Sequence, residues 1–298
     1  MSILAPLVLA SSFTANGLPA PKSIKALAMD LDGTILAPGA VLSERTQSAI
    51  KKCIERGLKI IIATGRSMES AERYRLPLNA AGPMVYFNGA VVAEMPAGEI
   101  IKTTLLDTKA VEICVDLSRE MDIHFQVYFL DGKNGEARKI TLLAEKDGEE
   151  RGMYHKHTGI LTELGDLKEN LKSRGNKTCI KAMYLAEPDV QAKLRPRLDE
   201  RLGGIVYVAQ TLHNFLEIMD KEASKGSGLE FIMERLSLKK EEVIAFGDEE
   251  NDLPMLKAAG FSVVPSNAKA LLKESADLVI GSNAEDSVAA FLEQFFEL

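Results

Sequence analysis

The chain has 298 residues, 46% of them hydrophobic, which is enough for two domains with full cores. Its 43 acidic and 36 basic residues leave a net charge of −7, against the basic footprint that nonspecific nucleic-acid binding needs. Cys53, Cys114 and Cys179 have no short spacing and sit among apolar neighbours, so they read as buried hydrophobes rather than a metal cluster or a disulfide framework.

Residues 1–22 read as an N-terminal arm. Met1 to Pro21 carry no charged side chain, so the positive region of a secretory signal is missing. The apolar run Ile3 to Ala10 is far short of the roughly 20 residues that span a bilayer. No membrane association and a cytoplasmic location follow as expectations, with organelle targeting or secretion through residues 1–22 as the alternatives.

The apolar run Ala26-Leu27-Ala28-Met29, ended by acidic and Gly residues, predicts the first strand. Ser43 is a candidate N-cap, and Thr46, Ala49, Ile50, Cys53 and Ile54 then repeat on one helical face. Leu58 to Ala63 predicts a second strand, Ser67 to Arg75 a helix, and Met84 to Phe87 a third strand. Strand and helix in alternation with short links predict a parallel sheet.

The rhythm changes after residue 88. Strands at Ala90 to Val92 and Ile100 to Leu105, a helix at Asp107 to Met121, and a hairpin turning at Asp131 to Gly135 read as a separate α+β unit. Glu145 to Arg151 reads as a solvated loop, and His155-Lys156-His157 as solvated rather than metal-binding, because no third ligand is near. Further strands fall at Lys181 to Leu185 and Val206 to Ala209, with helices near 163–173 and 189–202. Phe215 to Met219, Val243 to Phe246, Ser262 to Val264 and Leu278 to Ile280 return to the first rhythm. The fold class is therefore α/β: a Rossmann-like parallel-sheet core over 23–88 and 211–298, with an inserted α+β cap over 89–210.

Four segments carry chemistry. Asp30-Leu31-Asp32-Gly33-Thr34 follows the first strand, and sites in open α/β sheets form beyond the carboxyl ends of strands. Of its two carboxylates, one can attack phosphorus while the other handles the leaving-group proton. Asp248-Glu249-Glu250-Asn251-Asp252 follows the strand Val243 to Phe246, and so many acids there repel one another unless a cation sits among them. A few hard oxygen ligands suit Mg²⁺. Thr64-Gly65-Arg66 ends the second strand with a hydroxyl and free backbone N–H groups, a ready phosphate cradle. Lys225, at a helix start, can neutralise a phosphoryl oxygen and a nucleophilic carboxylate.

Together, and in this order, the four segments resemble the haloacid dehalogenase superfamily. The long insertion between Thr64 and Lys225, entered at Phe87-Asn88-Gly89-Ala90 and left at Leu216-Glu217-Ile218, resembles its Cof-like branch with a type IIB cap. The resemblance covers residues 24 to 296. It implies that Asp30 is the nucleophile and a Mg²⁺ ligand, and that Asp32 is the general acid/base with its backbone carbonyl on the metal. It further implies that Asp248 and Asp252 complete the metal site. Thr64, Gly65, Arg66, Asn88, Lys225 and Asn251 would hold the phosphate. Two turns depart from the branch: Val264-Pro265-Ser266-Asn267-Ala268, and Ser287 where a Gly is usual.

The activity these residues predict is Mg²⁺-dependent hydrolysis of phosphate monoesters of small metabolites, sugar phosphates or similar, through an aspartyl-phosphate. The expected partner is that small phosphorylated metabolite, with no nucleic acid and no membrane, the chain acting as a monomer or homodimer. A phosphomutase on the same fold and a non-catalytic phospho-ligand-binding protein are the alternatives.

Overall fold

The computed structural model describes residues 18–132 and 139–298. Most of the N-terminal arm, the tip of the 131–135 turn and the side chain of His157 lie outside the described residues. No helix among the described residues is long and apolar enough to cross a membrane.

The core sheet is built from β1 (Ala26–Met29), β2 (Lys59–Ile62) and β3 (Gly82–Tyr86), alternating with α1 (Glu44–Glu55) and α2 (Met68–Leu78). Then come β4 (Val91–Met95), β5 (Glu99–Thr103) and α3 (Thr108–Met121), followed by β6 (His124–Asp131) and β7 (Lys139–Ala144). The chain continues through α4 (Glu149–Thr158), β8 (Glu163–Leu164), α5 (Leu167–Arg174), β9 (Cys179–Leu185), α6 (Pro188–Leu202), β10 (Val206–Leu212) and β11 (Phe215–Asp220). It finishes with α7 (Lys225–Arg235), β12 (Val243–Phe246), α8 (Leu253–Ala258), β13 (Phe261–Pro265), α9 (Ala270–Ser275), β14 (Leu278–Ile280) and α10 (Ser287–Phe296).

Five strands form a parallel sheet in the order β14-β13-β12-β1-β2. β1 and β12 are buried on both faces, which is why they read as unbroken apolar runs. A parallel bridge between Ala63 and Val85 joins β3 beyond β2. The chain thus leaves β1 toward β2 on one side, while β12 leads to β13 on the other. β1 and β12 are paired neighbours, and the crevice beyond their carboxyl ends is where such a sheet binds ligands. Side-chain caps start the flanking helices: Ser43 Oγ accepts from the Thr46 N–H at 3.0 Å, and Ser67 Oγ from the Ser70 N–H at 3.1 Å.

The second sheet has six strands in the order β10-β11-β9-β6-β7-β8. Its residues alternate between two faces, as strand geometry requires. Phe125, Val127 and Phe129 pack with Val111, Leu171 and Leu194 of the covering helices. Tyr128, Met183, Phe215 and Met219 belong instead to the cluster that runs into the core sheet.

Three details depart from the sequence expectation. β4 pairs antiparallel with β3, and β5 with β4, so both extend the core side rather than the inserted sheet. β11 pairs with β9 and β10, not with the parallel strands. An apolar run carries no mark of its pairing partner, so the strands themselves were legible and their sheet was not. The expected loop at Glu145 to Arg151 runs into α4, whose first turn holds Glu149 and Glu150, a favourable place for acids.

Close helix contact decides where Lys225 sits. A Cβ on Gly226 would lie 2.6 Å from the backbone carbonyl of Pro254, so α7 rides directly on the start of α8. Gly152 in α4, by contrast, has nothing within 4 Å of such a Cβ. Gly226→Ala should therefore destabilise the fold by about 1–3 kcal/mol through overpacking. Gly152→Ala should stabilise it by about 0.5–1 kcal/mol through helix propensity. Urea unfolding followed by circular dichroism checks both signs.

Candidate active site

Asp30 is the first residue past β1, and its N–H donates to Phe246 O at 3.0 Å, tying it to the end of β12. Its carboxylate is buried, at 5% exposure. Lys225 Nζ lies 2.7 Å from Asp30 Oδ1 and 2.6 Å from Asp252 Oδ1. Lys225 opens α7, and Ser224 caps that helix reciprocally with Ser227. Asp252 is held from behind as well: its Oδ2 accepts from the N–H groups of Asp248 at 2.9 Å and Glu249 at 3.0 Å. Asp248 Oδ1 accepts from Thr34 Oγ1 at 2.6 Å. The turn between Asp32 and Thr34 needs glycine twice over. Gly33 has φ +77°, and a Cβ there would lie 2.1 Å from Asp248 Oδ2.

Charge does not balance in this pocket. Asp30, Asp248 and Asp252 each offer an oxygen, those oxygens lie within 4.8 Å of one another, and all three residues are buried. Lys225 is the ammonium that meets two of them. Burial, resisted by Lys225 and reinforced by Asp252 and Asp248, holds the Asp30 carboxyl well above the usual carboxylate range. Burial likewise pushes Asp248 up to about 7, against the Thr34 hydrogen bond and with repulsion from Asp252. Burial opposes the charge of Lys225, yet Asp252 and Asp30 outweigh it and raise its pKa. Three buried carboxylates with one ammonium are short of positive charge, and a divalent cation bound by oxygen fits that donor set.

The carboxylate of Asp32 lies outside this group. It is half exposed and receives both Nε and Nη2 of Arg66 at 2.6 Å, a bidentate pair. Arg66 also stacks on Tyr74, 4.9 Å from the ring centre. Thr64 is buried, and its Oγ1 accepts the Arg66 N–H at 3.1 Å. Asn88 is buried one layer deeper. Its N–H donates to Thr64 O at 3.0 Å, and its side chain takes the place that a Cβ on Gly65 would need, 2.9 Å from Asn88 Oδ1. Phe87 and Asn88 both hold left-handed backbone, φ 49° and 53°, a cost that the surrounding contacts sustain.

A cavity of about 660 Å³ opens above these groups, within the range of small-molecule sites. Asp30, Asp32, Gly65, Arg66, Lys225 and Asn251 line its floor. Tyr128, Tyr154, Lys181, Tyr207, Phe215 and Glu217, from the inserted unit, line its roof. Thr64, Asn88, Asp248 and Asp252 stand behind the floor. Every residue singled out in the sequence is thus in this one region, some as lining and some as support.

Four contributors were not foreseen. Thr34 stood inside the quoted motif but was given no role. Lys181 and Glu217 are charged residues flanked by apolar ones inside buried strands, a signal in itself because burial of an unpaired charge is costly. Asn267 belongs to the departing turn, and its Nδ2 donates to Gly33 O at 2.9 Å, so that turn still braces the Asp30 loop.

Known proteins resemble the chain along nearly its whole length. Residues 27–292 match the family described as haloacid dehalogenase-like hydrolase. The 5-amino-6-(5-phospho-D-ribitylamino)uracil phosphatase of Bacillus subtilis is 30% identical over 273 residues, 91% of this chain and 97% of that protein. The HMP-PP phosphatase of Cronobacter sakazakii is 26% identical over 272 residues, 91% of this chain and 95% of that protein. In fold, a Plasmodium vivax protein described as HAD/Cof-like superposes with a TM-score of 0.78 at 24% identity, covering 92% of this chain and 96% of its own. The chain belongs to the haloacid dehalogenase-like hydrolases and is a phosphoric monoester hydrolase of that family.

Proposed function

We propose that the chain hydrolyses phosphate monoesters of small metabolites in two steps, through an aspartyl-phosphate on Asp30. The observation that carries this reading is the buried Asp30 carboxylate at the β1–β12 crevice, bonded to Lys225 and faced by Asp248 and Asp252. Asp30 attacks phosphorus, and the ester oxygen leaves with a proton delivered by Asp32 at the mouth of the cavity. Water then attacks the aspartyl-phosphate, Asp32 takes its proton, and inorganic phosphate departs.

Arg66 holds the Asp32 carboxylate in place through both oxygens. Lys225 keeps Asp30 oriented and offsets charge on the transferring group, where positioning and neutralisation do most of the work. Asp30, Asp248 and Asp252, with the backbone carbonyl of Asp32, would hold Mg²⁺. When bound, that ion supplies the positive charge that keeps Asp30 ionised and neutralises phosphate oxygens. Gly65, Arg66 and Asn251, which line the cavity, would form the remaining wall for the phosphate.

The leaving group would lie under Tyr128, Tyr154, Tyr207 and Phe215. Such a roof suits a planar or sugar-like group. The relatives named for a ribitylaminouracil phosphate and for HMP-PP support phosphorylated heterocycles, beside sugar phosphates, as substrates to assay first.

Asp30→Asn should lower kcat for p-nitrophenyl phosphate by at least about 10³-fold, and Asp32→Asn by about 10²–10⁴-fold, with both proteins folded. Steady-state assay with Mg²⁺ checks this, and equal activity of wild type and Asp30→Asn would remove the reading. Activity should vanish on chelation with EDTA and return with Mg²⁺.

The Asp248 carboxyl binds its proton more tightly folded than unfolded. In metal-free protein its contribution to stability is therefore largest at low pH. It declines as pH rises from the ordinary aspartate value of 3.8 through about 7. Metal-free Asp248→Asn should lose less stability than wild type over that interval, and it should gain no thermal stability from Mg²⁺. Wild type should bind Mg²⁺ more tightly as pH rises through 7, because the carboxylate must be free of its proton. Thermal melts from pH 5 to 8, with and without Mg²⁺, test both points.

A further inference from the structure

A hydrogen-bond chain crosses from the inserted sheet to the acidic loop. Lys181 Nζ, on β9, lies 2.6 Å from Glu217 Oε1, on β11. Asn88 Nδ2 donates to the other oxygen, Glu217 Oε2, at 3.2 Å. Asn251 Nδ2 then donates to Asn88 Oδ1 at 2.9 Å. Lys181, Glu217 and Asn88 are 3%, 5% and 1% exposed, so water does not compete for these bonds. The Lys181 ammonium also lies 5.3 Å from the Tyr128 ring and 5.6 Å from the Phe87 ring, which fixes its place further.

The polarity of this chain follows from donor and acceptor chemistry. Both Glu217 oxygens act as acceptors, Oε1 for Lys181 and Oε2 for Asn88, so Asn88 turns its amide N–H₂ toward it. The Asn88 oxygen then faces Asn251, which must answer with its own N–H₂. Among the described residues, Asn251 Oδ1 is buried and has no hydrogen-bond partner, so nothing on that side of the amide sets its orientation. The N–H of Asn251 that Asn88 does not use is left for the cavity that Asn251 lines.

We propose that Glu217, paired with Lys181, is a positioning residue: through Asn88 it orients the Asn251 amide so that an N–H, not the carbonyl oxygen, meets the transferring phosphate. This rests on the phosphatase reading of the site and adds to it a role for two residues of the roof. The Lys181–Glu217 pair also ties catalytic competence to the seating of the inserted sheet, because Glu217 lies on that sheet and Asn88 on the turn between β3 and β4.

The same logic predicts an inversion and its rescue. In Glu217→Gln, Lys181 still donates and so takes the amide oxygen. The amide N–H₂ then faces Asn88, both asparagines turn over, and the Asn251 N–H leaves the phosphate. Replacing Lys181 as well frees the introduced amide to present its oxygen to Asn88, which restores the original polarity.

The test is steady-state hydrolysis of p-nitrophenyl phosphate with Mg²⁺ by wild type, E217Q, K181M/E217Q, N251A and E217Q/N251A, with inhibition by inorganic phosphate and Tm for each. E217Q should lower kcat at least about tenfold, short of the 10²–10³-fold of deleting a donor outright, and weaken phosphate inhibition by a similar factor. K181M/E217Q should be at least about threefold more active than E217Q, and E217Q should cost less than about threefold in the N251A background. The proposal is overturned if E217Q stays within twofold of wild type, whatever its Tm. It is also overturned if the double variant is no more active than E217Q, or if E217Q costs N251A its full tenfold. Should E217Q fold poorly, the Asn88→Ala variant decides in its place: losing the relay must lower kcat and weaken phosphate inhibition together. Wild type without turnover would overturn the phosphatase reading and this proposal together, whereas the outcomes above, with wild type active, overturn this proposal alone.

Discussion

Three buried carboxylates meet one ammonium where β1 and β12 end, and much of the local structure exists to sustain that imbalance. Lys225 can bridge Asp30 and Asp252 only because a capped helix starts there and rides against Pro254 at glycine distance. Asp252 is held in place because two backbone N–H groups and Lys225 converge on it. Asp248 has less support, and its raised pKa is the measure of that. Uncompensated charge in a dry crevice is costly to a protein that does not use it. Here it is the arrangement that would receive a cation and, with it, a phosphate dianion.

The roof of the cavity obeys a simpler rule. Alternation along β9 and β11 sends Ala182, Tyr184, Leu216 and Ile218 to the helices of the inserted unit and turns Lys181, Phe215 and Glu217 to the site. A largely antiparallel sheet with one face on helices would normally leave its other face to water. Here that face closes over the end of the core sheet. In the proposed function, chemistry would sit on one sheet and recognition on the other, so the roof apart from Lys181 and Glu217 could vary without disturbing Asp30.

How much of this could be read in the residues differs from element to element. β1 and β12 were plain because strands buried on both faces are continuously apolar, and the acids that follow them interrupt that pattern abruptly. Thr64 and Lys225 were plain as members of an ordered set, since each taken singly is ordinary. The sheet to which β11 belongs was not readable, because Phe215 to Met219 would look the same in either sheet. The relay through Asn88 was hidden for a related reason: its members are far apart in the chain, and polarity emerges only when their atoms meet. Asn267 shows the reverse case, a turn that departs from the family pattern yet keeps the amide that braces Gly33.

The central claim is covalent: phosphate passes through Asp30. Its most direct measurement is rapid acid quench of the Mg²⁺-loaded enzyme during turnover of p-nitrophenyl phosphate, followed by peptide mass spectrometry. The account predicts a phosphorylated, hydroxylamine-labile peptide containing Asp30, accumulating further in Asp32→Asn, where hydrolysis of the intermediate is slowed. Turnover with no phosphorylated peptide in either protein, or phosphate on another residue, would contradict it.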